Sequence, residues 1–246
     1  MASLLAVAEV RVGTSGWSYK EWVGTLYPPK TAASKMLAAY AERLSTVEAH
    51  NTFRRRPRTP ALEGWAAAAP HTFKFAFKAH VAITHQRDLT GVEDRIANFF
   101  ESLQPLGERV GPVLFQLPHR DVDLPRLDRL LGALPPSPPA AFELGPAWNT
   151  AEVLNRLEKV GATLVLVDTG EGKPAIPDVG SILYVRLRAE RYDDKALGRW
   201  ARKIRSWKCD TYVYFDNDVK VHAPYDAERL AERLGITSAG TEASRT

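Results

Sequence analysis

A regular alternation of strand-like and helix-like segments constrains the fold of this 246-residue chain more than any other feature. Short runs rich in β-branched and aromatic residues alternate with longer stretches of helical periodicity. Such alternation is typical of parallel strands joined by helical crossovers. The sequence therefore predicts an α/β protein built on a parallel sheet.

Eight strands are predicted, at residues 9–14, 46–50, 73–79, 112–117, 140–144, 162–168, 182–188 and 211–216. Helices are predicted at 34–43, 60–68, 92–103, 124–134, 150–160, 194–207 and 227–234. Eight strands separated by helices in a chain of this length favour a TIM-type (β/α)8 barrel. A doubly wound open sheet is the alternative, although the first strand-to-helix turn, GTSGWSYKEWVG, is not a dinucleotide-binding fingerprint.

Two segments depart from the alternation. Residues 169–181 (TGEGKPAIPDVGS) are rich in Gly and Pro, so we expect an irregular loop in place of a helix between the sixth and seventh strands. Residues 237–246 are predicted to be a disordered tail. A single barrel domain is therefore predicted over residues 1–236.

The composition is that of an ordinary globular protein, with 45% hydrophobic and 25% charged residues. No stretch is apolar over the length needed to span a bilayer, and MASLLAVAEVRV lacks the basic segment of a secretory leader. The single cysteine, Cys209, excludes an intramolecular disulfide and fits a reducing compartment, so a cytoplasmic location is expected. The net charge of +4 favours anionic partners, and nucleic acid remains open.

Alternation along each strand predicts which side chains enter the barrel. On the third strand Phe73, Phe75 and Phe77 share a face that belongs under the helices, so Lys78 is predicted to point inward. The same argument predicts further inward side chains, namely Glu48 and His50 on the second strand, Gln116 on the fourth, Arg186 and Arg188 on the seventh, and Asp216 on the eighth. Glu143 and Asp168 end the fifth and sixth strands, and their directions stay open.

Polar residues are thus predicted at the C-terminal end of almost every strand, where barrel enzymes place their catalytic groups. Isolated charges inside a barrel are strongly unfavourable, so they must pair or meet water and a ligand. Two interpretations stay open. The ring is either a functional site or a network of mutually satisfied charges that closes the barrel mouth.

A series of motifs resembles a known family. They are GTSGWSY (13–19), VEAHNTFRR (47–55), FAFKA (75–79) with ITH (83–85), GPVLFQLP (111–118), FE (142–143), YVRLR (184–188) and YVYFDND (212–218). Together they resemble the YecE-like family, named for domain of unknown function 72, over roughly residues 8–234. The resemblance implies a TIM-type barrel and no particular reaction.

The family pattern matches this chain at Gly16, Trp17, Tyr19, Glu48, Thr52, Phe53, Arg55, Lys78, Thr84, His85, Gln116, Pro118, Glu143, Arg186, Asn217 and Asp218. The family usually has Asn at the position of His50, Tyr at that of Arg54, His at that of Arg188 and a second Pro at that of His119. It also usually has an Arg shortly after Glu143, where this chain reads LGPAW. We expect Arg54 or Arg188 to replace the lost positive charge; alternatively, this member has departed from the family's ligand.

The candidate catalytic residues are Glu48, Lys78 and Glu143. A partly desolvated Lys78 would have a lowered pKa and serve as a base or Schiff-base nucleophile, whereas a Lys78 paired with a carboxylate would stay charged. A charged Lys78 would either bind anions or form only a structural ion pair. Glu48 and Glu143 would divide general acid and base roles if their environments differ.

The candidate ligand-binding residues are Trp17, Tyr19, His50, Thr52, Arg54, Arg55, His85, Gln116, Arg186, Arg188, Asp216 and Asn217. The guanidinium groups of Arg54 and Arg55 suit bidentate binding of phosphate or carboxylate, whereas Arg56 and Arg58 fit a solvated loop. The connection 79–93, which carries His85, is a candidate lid.

Oxygen and nitrogen ligands for a metal are available at Glu48, His50, His85, Glu143, Asp168 and Asp216. No metal-binding spacing accompanies them, and inward Lys and Arg side chains oppose a cation, so no metal is predicted. Three hypotheses remain: an enzyme acting on a small anionic substrate, a nucleic-acid-binding or nucleic-acid-processing barrel, and a non-catalytic small-molecule sensor.

Overall fold

The computed structural model describes residues 8–118, 121–171, 180–217 and 221–236. Its strands form one nine-stranded sheet in which the hydrogen-bonded pairs are parallel. They are β1 Val10–Ser15, β2 Thr46–Ala49, β3 Lys74–Lys78, β4 Val110–Gln116, β5 Ala140–Glu143, β6 Thr163–Leu164, β7 Leu166–Asp168, β8 Leu183–Leu187 and β9 Thr211–Phe215.

The sheet curls into a nearly closed barrel. Its strand order is β6-β5-β4-β3-β2-β1-β9-β8-β7, so the two ends of the sheet, β6 and β7, are consecutive pieces of chain separated only by Val165. The amide of Val165 still donates to the carbonyl of Phe142 in β5, at 2.9 Å. Counted together, β6 and β7 correspond to the single strand predicted at 162–168, and the predicted α/β barrel is confirmed.

Helices cover the outside of this barrel. They are α1 Ala33–Ala41, α2 Thr59–Ala68, α3 Val81–Thr84, α4 Val92–Ser102, α5 Leu124–Gly132, α6 Ala151–Lys159, α7 Asp194–Arg205 and α8 His222–Leu234. The short α3 was not predicted, and α8 begins earlier than predicted because Pro224 is tolerated in its first turn. The loop predicted at 169–181 lies mostly outside the described residues.

The apolar core has two layers, as alternation along the strands predicts. Phe73, Phe75 and Phe77 are buried in the layer beneath the helices. Inside the barrel, small residues such as Ala76 lie in one cluster with large ones such as Tyr184. Because side chains fill the interior, the barrel is a packed core rather than a pore.

All strands point the same way, so their C-terminal ends gather the polar residues at one mouth. Among the described residues, no helix is long and apolar enough to cross a membrane. The division into a barrel domain at 1–236 and a tail at 237–246 stays a prediction, and the tail lies outside the described residues.

Candidate functional site

Arg186 lies at the centre of the barrel mouth. It is 2% exposed on β8, and alternation directs it inward with Tyr184. Its guanidinium contacts three carboxylates, with nitrogen–oxygen distances of 2.8 Å to Glu48, 2.8 Å to Glu143 and 2.9 Å to Asp216. Burial alone would lower the pKa of Arg186, but the three carboxylates raise it above its ordinary value. This residue therefore stays charged and anchors the other polar side chains.

Glu48 on β2 is completely buried, and both of its oxygens accept hydrogen bonds. Oε1 accepts from the Ser15 hydroxyl at 2.6 Å and from Arg186. Oε2 accepts from the Tyr184 hydroxyl at 2.6 Å. The register of the barrel explains the first contact, because Ser15 and Glu48 are direct neighbours across β1 and β2. The inward direction predicted for Glu48 is confirmed.

Glu143, whose direction the sequence left open, points inward from the end of β5. One oxygen accepts from Gln116 at 2.7 Å and lies 2.9 Å from Arg188, and the other accepts from Arg186. Burial alone would raise the pKa of Glu143, but the two arginines and the Gln116 amide outweigh it and hold the pKa below its ordinary value. Glu143 is therefore ionised and saturated with donors.

Asp216 and Arg188 form the more open edge of the network. The Nε of Arg188 donates to Asp216 Oδ2 at 2.9 Å. The Asp216 and Arg188 side chains are 29% and 26% exposed, against 3% for that of Arg186. Solvent or a ligand can therefore reach this edge.

Lys78 differs from Arg186 and Arg188 in the partner that it contacts. Its Nζ donates to the side-chain oxygen of Gln116 at 2.6 Å and lies 4.4 Å from the centre of the Phe53 ring. Among the described residues no carboxylate forms an ion pair with it. Burial and then the neighbouring Arg186 lower the pKa of Lys78, although Glu48, Glu143 and Asp216 act in the opposite direction.

The residues that follow β2 form the rim of the mouth. His50 was predicted to end the strand, but it begins the 3-10 turn His50–Phe53 instead. Its Nδ1 is buried without a hydrogen-bond partner among the described residues, and its ring lies 6.3 Å from that of Tyr19. Tyr19 in turn donates to the carbonyl of Ser15 at 2.6 Å. A Cβ on Gly16 would come within 2.7 Å of the His50 ring, so the absence of a side chain there permits this approach.

Three candidate ligand-binding residues face protein rather than the open mouth. The Thr52 hydroxyl lies 2.7 Å from the carbonyl oxygens of both Ala49 and Lys78, so it fastens the rim turn to β3. Trp17 is 7% exposed and packs edge-on against Trp65. The amide of Asn217 donates to the Glu190 carbonyl and the Asp226 carboxylate beside α8.

The arginines after β2 lie at the same end of the barrel as the network, and all of them are exposed (Arg54, Arg55, Arg56 and Arg58). The guanidinium group of Arg54 lies 5.4 Å from the centre of the Phe53 ring, which is also the ring that Lys78 contacts. His85 also packs edge-on against Phe53, at 5.0 Å, and this contact brings the candidate lid segment to the rim.

The described residues contain no cluster of three or more His, Cys, Asp or Glu side chains able to hold a metal ion. Asp168 faces away from the mouth, since its carboxylate accepts from Trp200 in α7 at 3.0 Å. Residues His119 and Asp218, which the family resemblance singled out, lie outside the described residues.

Two participants in the network were missed by sequence reasoning. Tyr184 has the same parity as Arg186, so alternation alone could have identified it. Ser15 lies one residue beyond the first predicted strand, and extending that strand would have directed it inward.

A cavity of about 540 Å³ lies at the opposite end of the barrel, where Lys74, Gly111 and Tyr212 are among its lining residues. This end holds the starts of the strands, whereas barrel chemistry is placed at their C-terminal ends. The cavity is therefore not assigned to the candidate site.

Comparisons with known proteins extend over most of the chain. A family model described as "Protein of unknown function DUF72" matches residues 11–246. The chain is 28% identical to the UPF0759 protein YecE of Escherichia coli K12 over 93% of each protein. It is 33% identical to the UPF0759 protein YunF of Bacillus subtilis over 44% of this chain and 40% of that protein.

Solved structures show the same fold. A DUF72 family protein from Thermotoga maritima matches with a TM-score of 0.79 and 24% identity, covering 92% of this chain and 99% of that one. Another from Enterococcus faecalis matches with a TM-score of 0.76 and 18% identity, covering 92% of this chain and 95% of that one.

Proposed function

Because this chain belongs to the DUF72 family, whose function is unknown, we propose a function from the geometry of its barrel mouth. The protein is an enzyme that binds a small anionic substrate, bearing a phosphate or carboxylate group, and acts on it by proton transfer. Its single cysteine fits the reducing cytoplasm as the place of action.

The position of Lys78 is the observation that carries this proposal. Each carboxylate of the network is held by at least one arginine, whereas Lys78 donates to a neutral amide, that of Gln116. An ammonium group has three N–H donors, and Gln116 accepts only one of them. The remaining donors are suited to an anionic ligand at a half-buried position where electrostatic attraction is stronger than in bulk water.

The other charged residues take supporting roles in this proposal. Arg188 supplies positive charge at the more open edge, and the exposed Arg54 and Arg55 attract the anion at the rim. Glu48 and Glu143 position Arg186 rather than transfer protons themselves, because their oxygens are already occupied by donors. Proton transfer is assigned to Lys78, whose lowered pKa makes its neutral form more accessible.

Calorimetric titration of the protein with inorganic phosphate and with acetate tests anion binding. We expect binding to the native chain, and a loss of at least about tenfold in affinity in Lys78→Met because one charge-assisted contact disappears. Lys203→Met is the matched control, since Lys203 also lies over an aromatic ring, that of Trp200, but on the outer helix α7. Equal affinity in Lys78→Met and Lys203→Met, or no binding to the native chain, would refute the proposal.

Turnover distinguishes an enzyme from a sensor. A panel of phosphate esters and hydroxy acids is incubated with the protein, and the products are followed by NMR. An enzyme gives a changed compound whose formation needs Lys78. Recovery of every bound compound unchanged would favour a non-catalytic binding protein.

A nucleic-acid-binding barrel is the second candidate, supported by the exposed arginines that follow β2 at the mouth. Binding of this kind depends on phosphate contacts and weakens steeply as salt rises. Fluorescence anisotropy with single- and double-stranded probes at 50 and 200 mM salt measures it. Absent or salt-insensitive binding, unchanged by the double variant Arg54→Ala with Arg55→Ala, would remove this candidate.

A further inference from the structure

We propose that Lys78 forms a covalent imine with a substrate that carries an aldehyde or ketone beside its anionic group. This inference rests on the proposed function and narrows its substrate class to small anionic carbonyl compounds. It follows from the placement of one amine that, among the described residues, is held without an ion pair.

The surroundings of Lys78 suit a nucleophile. Its Nζ is fixed between the Gln116 oxygen at 2.6 Å and the face of Phe53 at 4.4 Å. Gln116 is fixed in turn, because its own amide donates to Glu143 at 2.7 Å. Thr52 ties the backbone of Lys78 to the rim turn. The nitrogen is therefore held in one place from several directions, and neither Gln116 nor Phe53 neutralises it.

The charges around Lys78 also favour a nucleophilic amine. Burial and the charge of Arg186 both disfavour the protonated amine, against the opposing influence of Glu48, Glu143 and Asp216. Only the unprotonated amine attacks a carbonyl carbon, so a lowered pKa increases the reactive fraction near neutral pH. The aromatic face of Phe53 also offers an apolar surface for the carbon skeleton of a small substrate.

The step conserves atoms and electrons. The nitrogen lone pair forms a bond to the carbonyl carbon while the carbon–oxygen π electrons move to the oxygen, which takes up a proton as the nitrogen loses one. The resulting carbinolamine expels its hydroxyl group with a second proton as water, and a carbon–nitrogen double bond remains. Protons exchange with solvent, because Lys78 is itself only partly buried. No oxidant or reductant is required.

Reductive trapping tests the proposal on the intact native chain. The protein is incubated with glyoxylate, an anionic aldehyde, and sodium cyanoborohydride, and peptide mass spectrometry locates the carboxymethylated lysines. We expect Lys78 to be modified at least about tenfold faster than Lys203, because Lys203 lies on the outer helix α7, away from the barrel-mouth residues that would hold the anionic aldehyde beside the amine. Lys203 is a strict internal comparison because burial lowers its pKa too.

Variants and a second aldehyde complete the experiment. Lys78→Arg should abolish the fast modification and Lys203→Arg should leave it unchanged. Acetaldehyde, which lacks the anionic group, should modify Lys78 more slowly than glyoxylate, and inorganic phosphate should compete with glyoxylate. Modification of Lys78 no faster than that of Lys203, or fast modification that survives Lys78→Arg, would overturn the imine.

The two proposals fail in different ways. Phosphate binding that depends on Lys78 without any preferential adduct would overturn the imine and leave anion binding intact. A fast adduct at Lys78 that forms equally with both aldehydes, in a protein that does not bind phosphate, would leave Lys78 as an imine-forming amine but refute both anion binding and the anionic substrate class.

Discussion

At the scale of single residues, the barrel mouth is dominated by buried charges that depend on one another. Arg186 and Glu48 are 2% and 0% exposed, so neither can exchange its partner for water. Burying two charges is expensive, and the attraction between them offsets that expense only when geometry and additional hydrogen bonds are good. Ser15 and Tyr184 supply those additional bonds to Glu48.

Glu48→Gln should therefore destabilise the protein by about 3 kcal/mol or more, the usual effect of removing one member of a buried ion pair. The neutral amide keeps the shape of the side chain but leaves Arg186 with a weaker partner. Urea unfolding followed by circular dichroism measures the change. Glu93→Gln is the control, because Glu93 pairs with Arg129 at the surface and its side chain is 50% exposed. Equal stability of the two variants would contradict the role assigned to Glu48.

Glu143 makes the stability of the protein depend on pH. Its pKa in the folded protein is held below the ordinary value of 4.5, so the unfolded chain binds more protons than the folded one in this range. The stability contributed by Glu143 is present above pH 4.5 and is lost as the pH falls through the lower, folded-state pKa. Unfolding by urea at several pH values between about 3 and 7 should show this loss in the native chain.

The variant Glu143→Gln isolates that contribution. It should be less stable than the native chain at neutral pH, and its stability should fall less between neutral and acidic pH. A remaining slope is expected from Asp88, Glu93 and Asp194, whose pKa values are also lowered. An identical pH dependence in the native chain and the variant would show that Glu143 does not titrate as proposed.

Alternation along the strands could predict the direction of most site residues but not their partners. It placed Glu48, Lys78 and Arg186 inside the barrel because their neighbours on each strand are apolar. Whether Lys78 meets a carboxylate or Gln116 depends on the stagger between strands, which no local pattern records. Asn217 lies just beyond the end of β9, where alternation no longer applies, and it turns toward α8.

At the scale of elements, β1 and β2 approach each other closely at Gly13. A Cβ on Gly13 would lie 2.0 Å from the carbonyl oxygen of Thr46, a distance that no real structure tolerates. Thr46 cannot yield easily because it pairs with Lys74 in β3 and is completely buried. The lack of a side chain at Gly13 therefore permits the pairing of two strands that carry Ser15 and Glu48.

Substituting glycine by alanine should consequently have opposite effects at two positions. Gly13→Ala should destabilise by at least about 2 kcal/mol, since β1 must move away from β2. Gly64→Ala lies within α2 with open space around it and should stabilise by about 0.5–1 kcal/mol. Thermal unfolding of both variants checks the signs, and a neutral Gly13→Ala would show that the strand contact is wrong.

The break at Val165 shows where prediction of elements from sequence stops. Residues 162–168 have a continuous apolar pattern, which correctly indicates a strand in the barrel wall. On either side of Val165, however, the chain changes partner from β5 to β8. A change of hydrogen-bonding partner is not visible in local periodicity. Local periodicity does predict how many strands there are and their order along the chain.

At the scale of the whole molecule, α8, which ends the described chain, packs against elements from its beginning. The carboxylate of Glu228 pairs with Arg43, which follows α1, and the carboxylate of Asp226 accepts from the amide of Tyr192 at 3.1 Å. Ala227 and Leu230 are fully buried in the outer apolar core. The barrel wall at β1 is thus covered by a helix encoded at the other end of the sequence.

Two truncations test this dependence and the predicted domain boundary together. A chain ending at Asn217 lacks α8, so β1 is uncovered and several buried side chains are lost. Burying a residue such as Leu230 contributes about 1.5–3 kcal/mol, and the sum over several such residues approaches the whole free energy of unfolding of a typical domain, about 5–15 kcal/mol. This shorter chain should therefore fail to fold. A chain ending at Ile236 keeps α8 and lacks only the tail predicted to be disordered, so its melting temperature should match that of the full chain. Calorimetry and circular dichroism measure both. Cooperative folding of the shorter chain would show that α8 is dispensable, and a lowered melting temperature after removal of residues 237–246 would place that segment in the folded domain.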